Sequence, residues 1–276
     1  MSSISQEERG AYQSLQMVLQ NEFGIVLGEE RENTITAKLK PVLSEFSLDS
    51  LQALVSELQN KGSSKIKNGV LQAITSLEVA WFEPEELFNL LEDYRLPEML
   101  KPGRDNYRIW VIGCNTGQLP YSLAMKIYEA GKQASSATSV TIEATDISEV
   151  AVNRSARGVF EEASMQGMVD PFKKKYMDQQ SGQWRVIDDI KSMINFSTCN
   201  LLEDFEDKGH FDLIICHDVL VYFSVPLKAQ LLESFSTLLD PSGILIAGMT
   251  EPVIPLNDNF DMVRHEDGIF YRQKTD

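Results

Sequence analysis

The stretch Arg108–Gly131, RIWVIGCNTGQLPYSLAMKIYEAG, decides the fold. Its first part is a dense run of branched and aromatic residues, the composition of a strand buried on both faces. A turn bounded by Gly113 and Gly117 follows. From Gln118 the apolar residues recur at helical spacing. Strand, glycine turn and helix in that order form the repeating unit of α/β sheets, whose ligands lie beyond the carboxyl ends of the strands. Glycines here let backbone N–H groups come close to a ligand. The turn is not G-x-G-x-x-G, and it presents no free helix start for a pyrophosphate. A nucleoside without phosphates suits it better than a dinucleotide.

Toward the C-terminus the alternation continues. Strands are expected at Tyr107–Gly113, Val140–Asp146, Met193–Thr198, Phe211–His217 and Gly243–Met249. Helices are expected between them at Gln118–Ala130, Glu149–Arg157, Asp170–Tyr176 and Pro226–Leu238. This predicts a mostly parallel sheet covered on both faces. FDMVRHEDGIFYRQK, with its Asp267–Gly268 turn, predicts a terminal hairpin that adds an antiparallel strand. Gln183–Met193 predicts a small extra β-element.

Toward the N-terminus the reading is helical. Tyr12, Leu15, Leu19 and Phe23 share one face, and Gly24 stops that helix. Ile35, Leu39 and Leu43 mark a second helix, in which Pro41 predicts a kink or break. A third is capped by Ser47 or Asp49 and ends at Gly62, a fourth covers Gly69–Ile74, and Pro84 opens one that runs to Glu92. The polar, turn-rich Lys101–Asn106 reads as a linker.

Bulk properties bound the function. A chain of 276 residues, 43% hydrophobic and 24% charged, is ordinary globular composition. A net charge of −16 repels phosphate backbones and argues against nucleic acid as partner. The longest apolar run, Leu213–Phe223, is interrupted by His217 and Asp218 and is too short for membrane insertion. The polar, acidic start does not read as a secretory signal. Cys114, Cys199 and Cys216 lack paired spacing, so reduced thiols in a cytoplasmic protein are expected, with no disulfide and no metal site.

Three strand ends carry candidate ligand groups. They are the Gly113 turn, Asp146 after the second strand, and Asn200–Leu201 after the third. A carboxylate at Asp146 can accept both ribose hydroxyls, an amide at Asn200 can meet a purine edge, and Leu201 can pack on its face. Each also has a plain structural use: Asp146 or Ser148 as a helix cap, Asn200 as a turn residue.

These segments resemble the chemotaxis receptor methyltransferase (CheR) family across nearly the whole chain. RIWVIGCNTGQLPYSLAM, ATDIS, Asn200–Leu201, FDLIICHDVLVYF and LDPSGILIAGMTE are similar to the family's RIWSAGCSTGEEPYSLAM, ATDID, NL, FDLIFCRNVLIYF and LxPGGxLxLGxSE. The resemblance implies a Rossmann-like class I methyltransferase sheet at 107–276, with a small β-subdomain near 183–193. It also implies an all-α N-terminal domain at 1–82 and a connecting helix and linker at 83–106. The implied activity is S-adenosylmethionine-dependent O-methylation of glutamate on the cytoplasmic domain of a chemoreceptor or another signalling protein. A carboxylate acceptor is already ionised at neutral pH, so that reaction needs positioning and water exclusion rather than a base. Tyr222 matches a tyrosine that the family places near the methyl group. Arg31, Lys38 and Lys40 lie where the family carries a basic docking element.

The chain departs from the family pattern on one side of the implied site. Against TTNxTxFFR it reads TSLEVAWFE, with Leu77 for Asn, Val79 for Thr and Glu83 for Arg. Leu119 replaces the second Glu of GEEPYS, and Cys216-His217-Asp218 replaces CRN. Gly113, Asp146, Asn200, Leu201 and Tyr222 are retained. Apolar groups at 77, 79 and 119 cannot bond a zwitterion. A carboxylate at 83, in the partly buried setting expected there, repels an anionic acceptor by about 4 kcal/mol at ~4 Å and an effective dielectric near 20. Two readings follow: a methyltransferase impaired in cofactor use, or a non-catalytic binding protein that kept the fold.

Overall fold

The computed structural model describes residues 6–60, 64–76, 79–101, 105–134, 138–203, 205–266 and 268–274. Four helices come first: α1 (Gln6–Phe23), α2 (Glu32–Glu45), α3 (Leu51–Gln59) and α4 (Ser64–Thr75). Leu15, Leu19, Leu39, Leu54 and Ile74 are buried between them. Gly24 ends α1 at φ +70°, and its N–H bonds to the Gln20 carbonyl at 3.0 Å. The cap of α3 is Ser50, whose Oγ accepts from Ala53 N at 3.2 Å, and not Ser47 or Asp49. Ser47 instead closes the exit of α2, at φ +55° with its N–H on the Ser44 carbonyl. Pro41 does not break α2, which runs through it from Glu32 to Glu45. Both Pro41 and the residue four before it, Ala37, lie on the exposed face, where the freed carbonyl is open to solvent. The fourth helix is longer than read, because Ile66 and Val70 extend its buried face. Gly62, read as the stop of α3, lies outside the described residues; α3 ends at Gln59.

After α5 (Glu85–Leu90) the chain widens into a π-helical stretch, Leu91–Arg95, before α6 (Leu96–Met99). Then come β1 (Asn106–Ile112), α7 (Gln118–Ala134), β2 (Ser139–Asp146), α8 (Glu149–Arg157), β3 (Val159–Glu161) and α9 (Asp170–Tyr176). They are followed by β4 (Met177–Gln180), β5 (Gln183–Val186), α10 (Asp188–Lys191), β6 (Ile194–Thr198) and β7 (Phe211–Cys216). The chain ends with α11 (Val225–Leu238), β8 (Leu239–Ala247), β9 (Phe260–His265) and β10 (Gly268–Gln273). The seven-stranded sheet has the order β6-β2-β1-β7-β8-β10-β9. The first five of these are parallel, and β10 runs antiparallel to β8 and β9.

The Rossmann-like α/β architecture and the terminal hairpin are therefore both present, although Asp267 of its turn lies outside the described residues. The extra β-element differs from its expected span. It is a three-stranded sheet, β3-β5-β4, and 188–191 is helical. The polar MDQQ run hides β4, since only Met177 of it is buried.

Alternation explains why the central strands read as unbroken apolar runs. Ile109, Val111, Leu213 and Ile215 face one core with Leu123 and Ile127 of α7. Trp110, Ile112, Ile214 and Cys216 face the other, against Leu232 and Phe235 of α11. Both sides of each strand are dry, so neither tolerates polar residues. The chain leaves β1 for β2 on one side and returns at β7 on the other, so the strand order reverses between β1 and β7. The carboxyl ends of those two strands, paired at Ile112 and Cys216, are the place for a ligand. Among the described residues no helix is long and apolar enough to cross a membrane.

Candidate functional site

The glycine turn after β1 is locked to the end of β2. Gly113 N and Cys114 N both donate to the Thr145 carbonyl, at 2.8 and 2.9 Å. Gly113 sits at φ +75°, and a Cβ there would lie 2.5 Å from Val219 Cγ2. Both facts require glycine. Gly113→Ala is expected to lower unfolding free energy by about 1–3 kcal/mol, through left-handed strain and displacement of Val219. Urea denaturation measures it, and an unchanged midpoint would contradict the assignment.

Asp146, at the end of β2, is only 8% exposed. Its Oδ2 accepts from Asn115 N and its Oδ1 from Ser148 N, both at 2.9 Å. Burial raises its carboxyl above the usual aspartate range, and the backbone N–H groups oppose that rise. The cap of α8 is Ser148, through Ala151 N at 3.2 Å. Asp146 thus ties the glycine turn to the entrance of α8, and each oxygen keeps a further lone pair for a ligand.

A cavity of about 640 Å³ of empty space, mouth included, opens here between Asp146, Gly113, Leu201, Asp218, Val219 and Tyr222. Asn200 does not line it. Its Nδ2 donates to the Glu22 carbonyl at 3.2 Å and its Oδ1 accepts from Leu202 N at 3.1 Å. The amide closes its own turn and fastens it to the end of α1, so it is not presented to the cavity. Leu201, next in sequence and 8% exposed, forms the apolar wall.

Tyr222 is buried beside the helical layer. Its carbonyl accepts from Val26 N at 2.7 Å, Ile25 bridges Phe223, and the Arg31 guanidinium lies 6.0 Å from its ring centroid. Burial pushes its hydroxyl pKa up. Lys38 is not a free docking cation, because its Nζ donates to the Ser76 carbonyl at 2.9 Å, beyond the end of α4. Another anchor was not assigned a role from sequence. Glu251, 1% exposed, accepts from Asp218 N and Gly248 N at 2.8 Å and from Val221 N at 3.1 Å. It holds the loop that carries Asp218 and Tyr222. The signal in the chain is its place, four residues past the end of β8 and last in the segment LDPSGILIAGMTE.

A second cavity, of about 650 Å³, shares Gly113, Asn115, His217 and Asp218 with the first and is walled by Val79, Glu83 and Leu119. His217 Nδ1 lies 3.1 Å from Asp218 Oδ2. Leu119 packs on the sheet core. No lysine or arginine lines this cavity among the described residues. Glu83 is exposed, not partly buried as expected, so solvent screens its charge until an acceptor covers it. Leu77, the remaining departed position, lies outside the described residues.

Comparison with known proteins bears on this site. Residues 78–269 match the family described as CheR methyltransferase, SAM binding domain. Chemotaxis protein methyltransferase 1 of Vibrio cholerae is 33% identical over 275 residues, covering 99% of this chain and 98% of the relative. The chain belongs to the CheR methyltransferase family.

A further family member, chemotaxis protein methyltransferase 1 of Pseudomonas aeruginosa, is 31% identical over 95% of this chain and 97% of its own. Among solved structures, a glycopeptide N-methyltransferase complexed with sinefungin aligns over 67% of this chain and 60% of its own, at 10% identity and TM-score 0.36. The first cavity brings together a buried carboxylate with unused lone pairs, an apolar wall at Leu201 and a close-approach turn at Gly113. The second cavity differs, since Leu119 presents no polar atom and the carboxylates that line it, Glu83 and Asp218, are both negative.

Proposed function

We propose that this chain is a CheR-type, S-adenosylmethionine-dependent protein-glutamate O-methyltransferase whose transfer to a carboxylate acceptor is impaired. It holds the adenosyl group through Asp146, Leu201 and the Gly113 turn. Its partner is the cytoplasmic domain of a chemoreceptor, and its setting is the cytoplasm. The observation that carries the reading is the second cavity, which has two carboxylates at its walls and no lysine or arginine among the described residues to meet an acceptor glutamate. A bound sulfonium supplies an electrophilic methyl group. The chain's own residues must bring a carboxylate to it in line, and like charges at Glu83 and Asp218 oppose that approach. Tyr222 lines the first cavity beside Asp218, which both cavities share, and from there its hydroxyl is to orient the acceptor.

Calorimetry with S-adenosylhomocysteine, together with labelled-methyl transfer to a receptor cytoplasmic fragment, tests the reading. Binding with slow or undetectable transfer is expected. The affinity should fall as pH falls through the raised Asp146 pKa, because the protonated carboxyl loses acceptor capacity toward ribose. Rapid transfer would refute the impairment. Absence of any binding or thermal shift at high ligand would instead support the second reading, a non-catalytic binding protein, which the two carboxylates lining the second cavity, Glu83 and Asp218, favour.

A further inference from the structure

The second cavity adjoins a larger cleft of about 1030 Å³ of empty space, with which it shares Pro84 and His217. Leu87, Leu90, Ile246 and Tyr271 give that cleft buried apolar walls, while its charged residues Glu86, Arg264 and Glu266 are all exposed. His217 lines the cleft and both cavities, so it stands where the three meet. Its Nδ1 lies 3.1 Å from Asp218 Oδ2. An ionised carboxylate can only accept, so this contact keeps the imidazole proton on Nδ1 and leaves the lone pair on Nε2. A histidine held this way by an acid is arranged as a general base.

A carboxylate acceptor has no use for a base, because it is ionised at neutral pH. An amine does, since at neutral pH it is an ammonium with no lone pair to offer a methyl group. The charges point the same way. Glu83 and Asp218 line the second cavity, and among the described residues no lysine or arginine does. Two carboxylates that repel an acceptor glutamate attract an ammonium. We propose that this site methylates an amine carried on an apolar body: Glu83 and Asp218 hold the ammonium, His217 takes its proton, and the adjoining cleft receives the apolar body. In the transfer, Nε2 accepts one proton from the ammonium. The freed nitrogen lone pair forms the N–C bond to the sulfonium methyl, the C–S bond breaks, and its electron pair stays on sulfur as a thioether. The imidazolium gives its proton to solvent, and the product leaves as a secondary ammonium. The inference rests on the nucleoside site proposed above and goes beyond a glutamate acceptor. It gives the departures at 83, 217 and 218 one shared purpose, a change in the charge of the acceptor.

Phenethylamine and 3-phenylpropanoate test it, because they carry the same apolar body on heads of opposite charge. Calorimetry of the full chain without cofactor reads the acceptor site alone, and a separate titration with S-adenosylhomocysteine reads the nucleoside site. Phenethylamine is expected to bind at least about tenfold more tightly than 3-phenylpropanoate, the range for charge-assisted contacts. Glu83→Gln combined with Asp218→Asn should remove that preference. Position 83 is exposed and asparagine tolerates the left-handed backbone at 218, so the variant should fold, and thermal unfolding checks that. With labelled S-adenosylmethionine, His217→Gln should keep phenethylamine affinity and lower its methylation about 10²-fold. Equal or tighter binding of 3-phenylpropanoate by the wild type, or no binding of either, would overturn the proposal. So would wild-type methylation rates in His217→Gln, or no transfer to phenethylamine from a chain that binds S-adenosylhomocysteine. Absent S-adenosylhomocysteine binding would instead remove the nucleoside site, and the transfer with it, whichever head group the acceptor site prefers.

Discussion

Glu83→Arg combined with Leu119→Glu should raise methyl transfer to receptor glutamate on the order of 10²-fold, the scale of one well-placed electrostatic contact in a transition state. The physical basis is the sign of the charges around the second cavity. Glu83 and Asp218 border it, and no lysine or arginine does among the described residues. A guanidinium at position 83 can hold the acceptor carboxylate by two parallel N–H bonds. Once the acceptor covers the exposed wall, water no longer screens that contact.

The second substitution is needed because the first alone exchanges an anion for a cation in a cavity that, by the family pattern, has to take the cofactor's ammonium. Glu83→Arg by itself should therefore weaken S-adenosylhomocysteine about tenfold. A carboxylate at position 119, which lines the same cavity as position 83, supplies the anion that the cofactor's ammonium needs. Initial rates with a receptor fragment and labelled cofactor, measured beside calorimetry, distinguish the two effects. If the pair folds and binds the nucleoside while transfer stays at the wild-type level, the charge argument fails.

Glu251→Ala should lower unfolding free energy by about 3 kcal/mol and abolish nucleoside binding together. Glu251 is 1% exposed and satisfies the N–H groups of Asp218, Val221 and Gly248. Truncation leaves those donors facing an apolar gap, and each unsatisfied buried donor costs about 1–3 kcal/mol, with the sum below additivity where water enters. The loop from His217 to Tyr222 then loses its anchor. Asp218 loses the acceptor for its N–H there, at φ +58°, a left-handed conformation that few residues other than glycine, asparagine and aspartate adopt. Glu251→Gln keeps the shape with one acceptor oxygen fewer, so an intermediate loss is expected. Urea denaturation and calorimetry on the same samples read both effects. A Glu251→Ala protein that unfolds at the wild-type midpoint would show that the loop stands without it.

Much of this architecture was legible in the linear chain. Glu149–Arg157 and Asp170–Tyr176 have the bounds their spacing predicts. Both lie between strong punctuation: Ser148 and Gly158 for the first, Pro171 and the polar β4 for the second. The central strands were equally plain, because burial on both faces forces long apolar runs. Local signals failed where a residue's partner is distant in sequence. Asn200 bonds to Glu22, Lys38 to Ser76 and Glu251 to Asp218, and no spacing rule links such pairs.

Residue order along the chain was enough to establish an α/β sheet, its helical N-terminal companion and a glycine turn at the ligand edge. Those features depend on hydrophobic period and on backbone conformations that glycine permits, and both are local properties. Which side chains reach the cavity, and what their neighbours leave free, was settled only by folding. Asp146 and Asn200 both follow strands and both looked suited to a nucleoside. Packing of α1 against the turn after β6 engages the amide at 200 with a helix end, while the carboxylate at 146 still faces the cavity. In the same way, Glu83 and Arg154 are far apart in the chain and line one cleft, because Ser155 of α8 bonds to the Asn115 carbonyl of the glycine turn. Such encounters arise from long-range burial, which no short window of residues encodes.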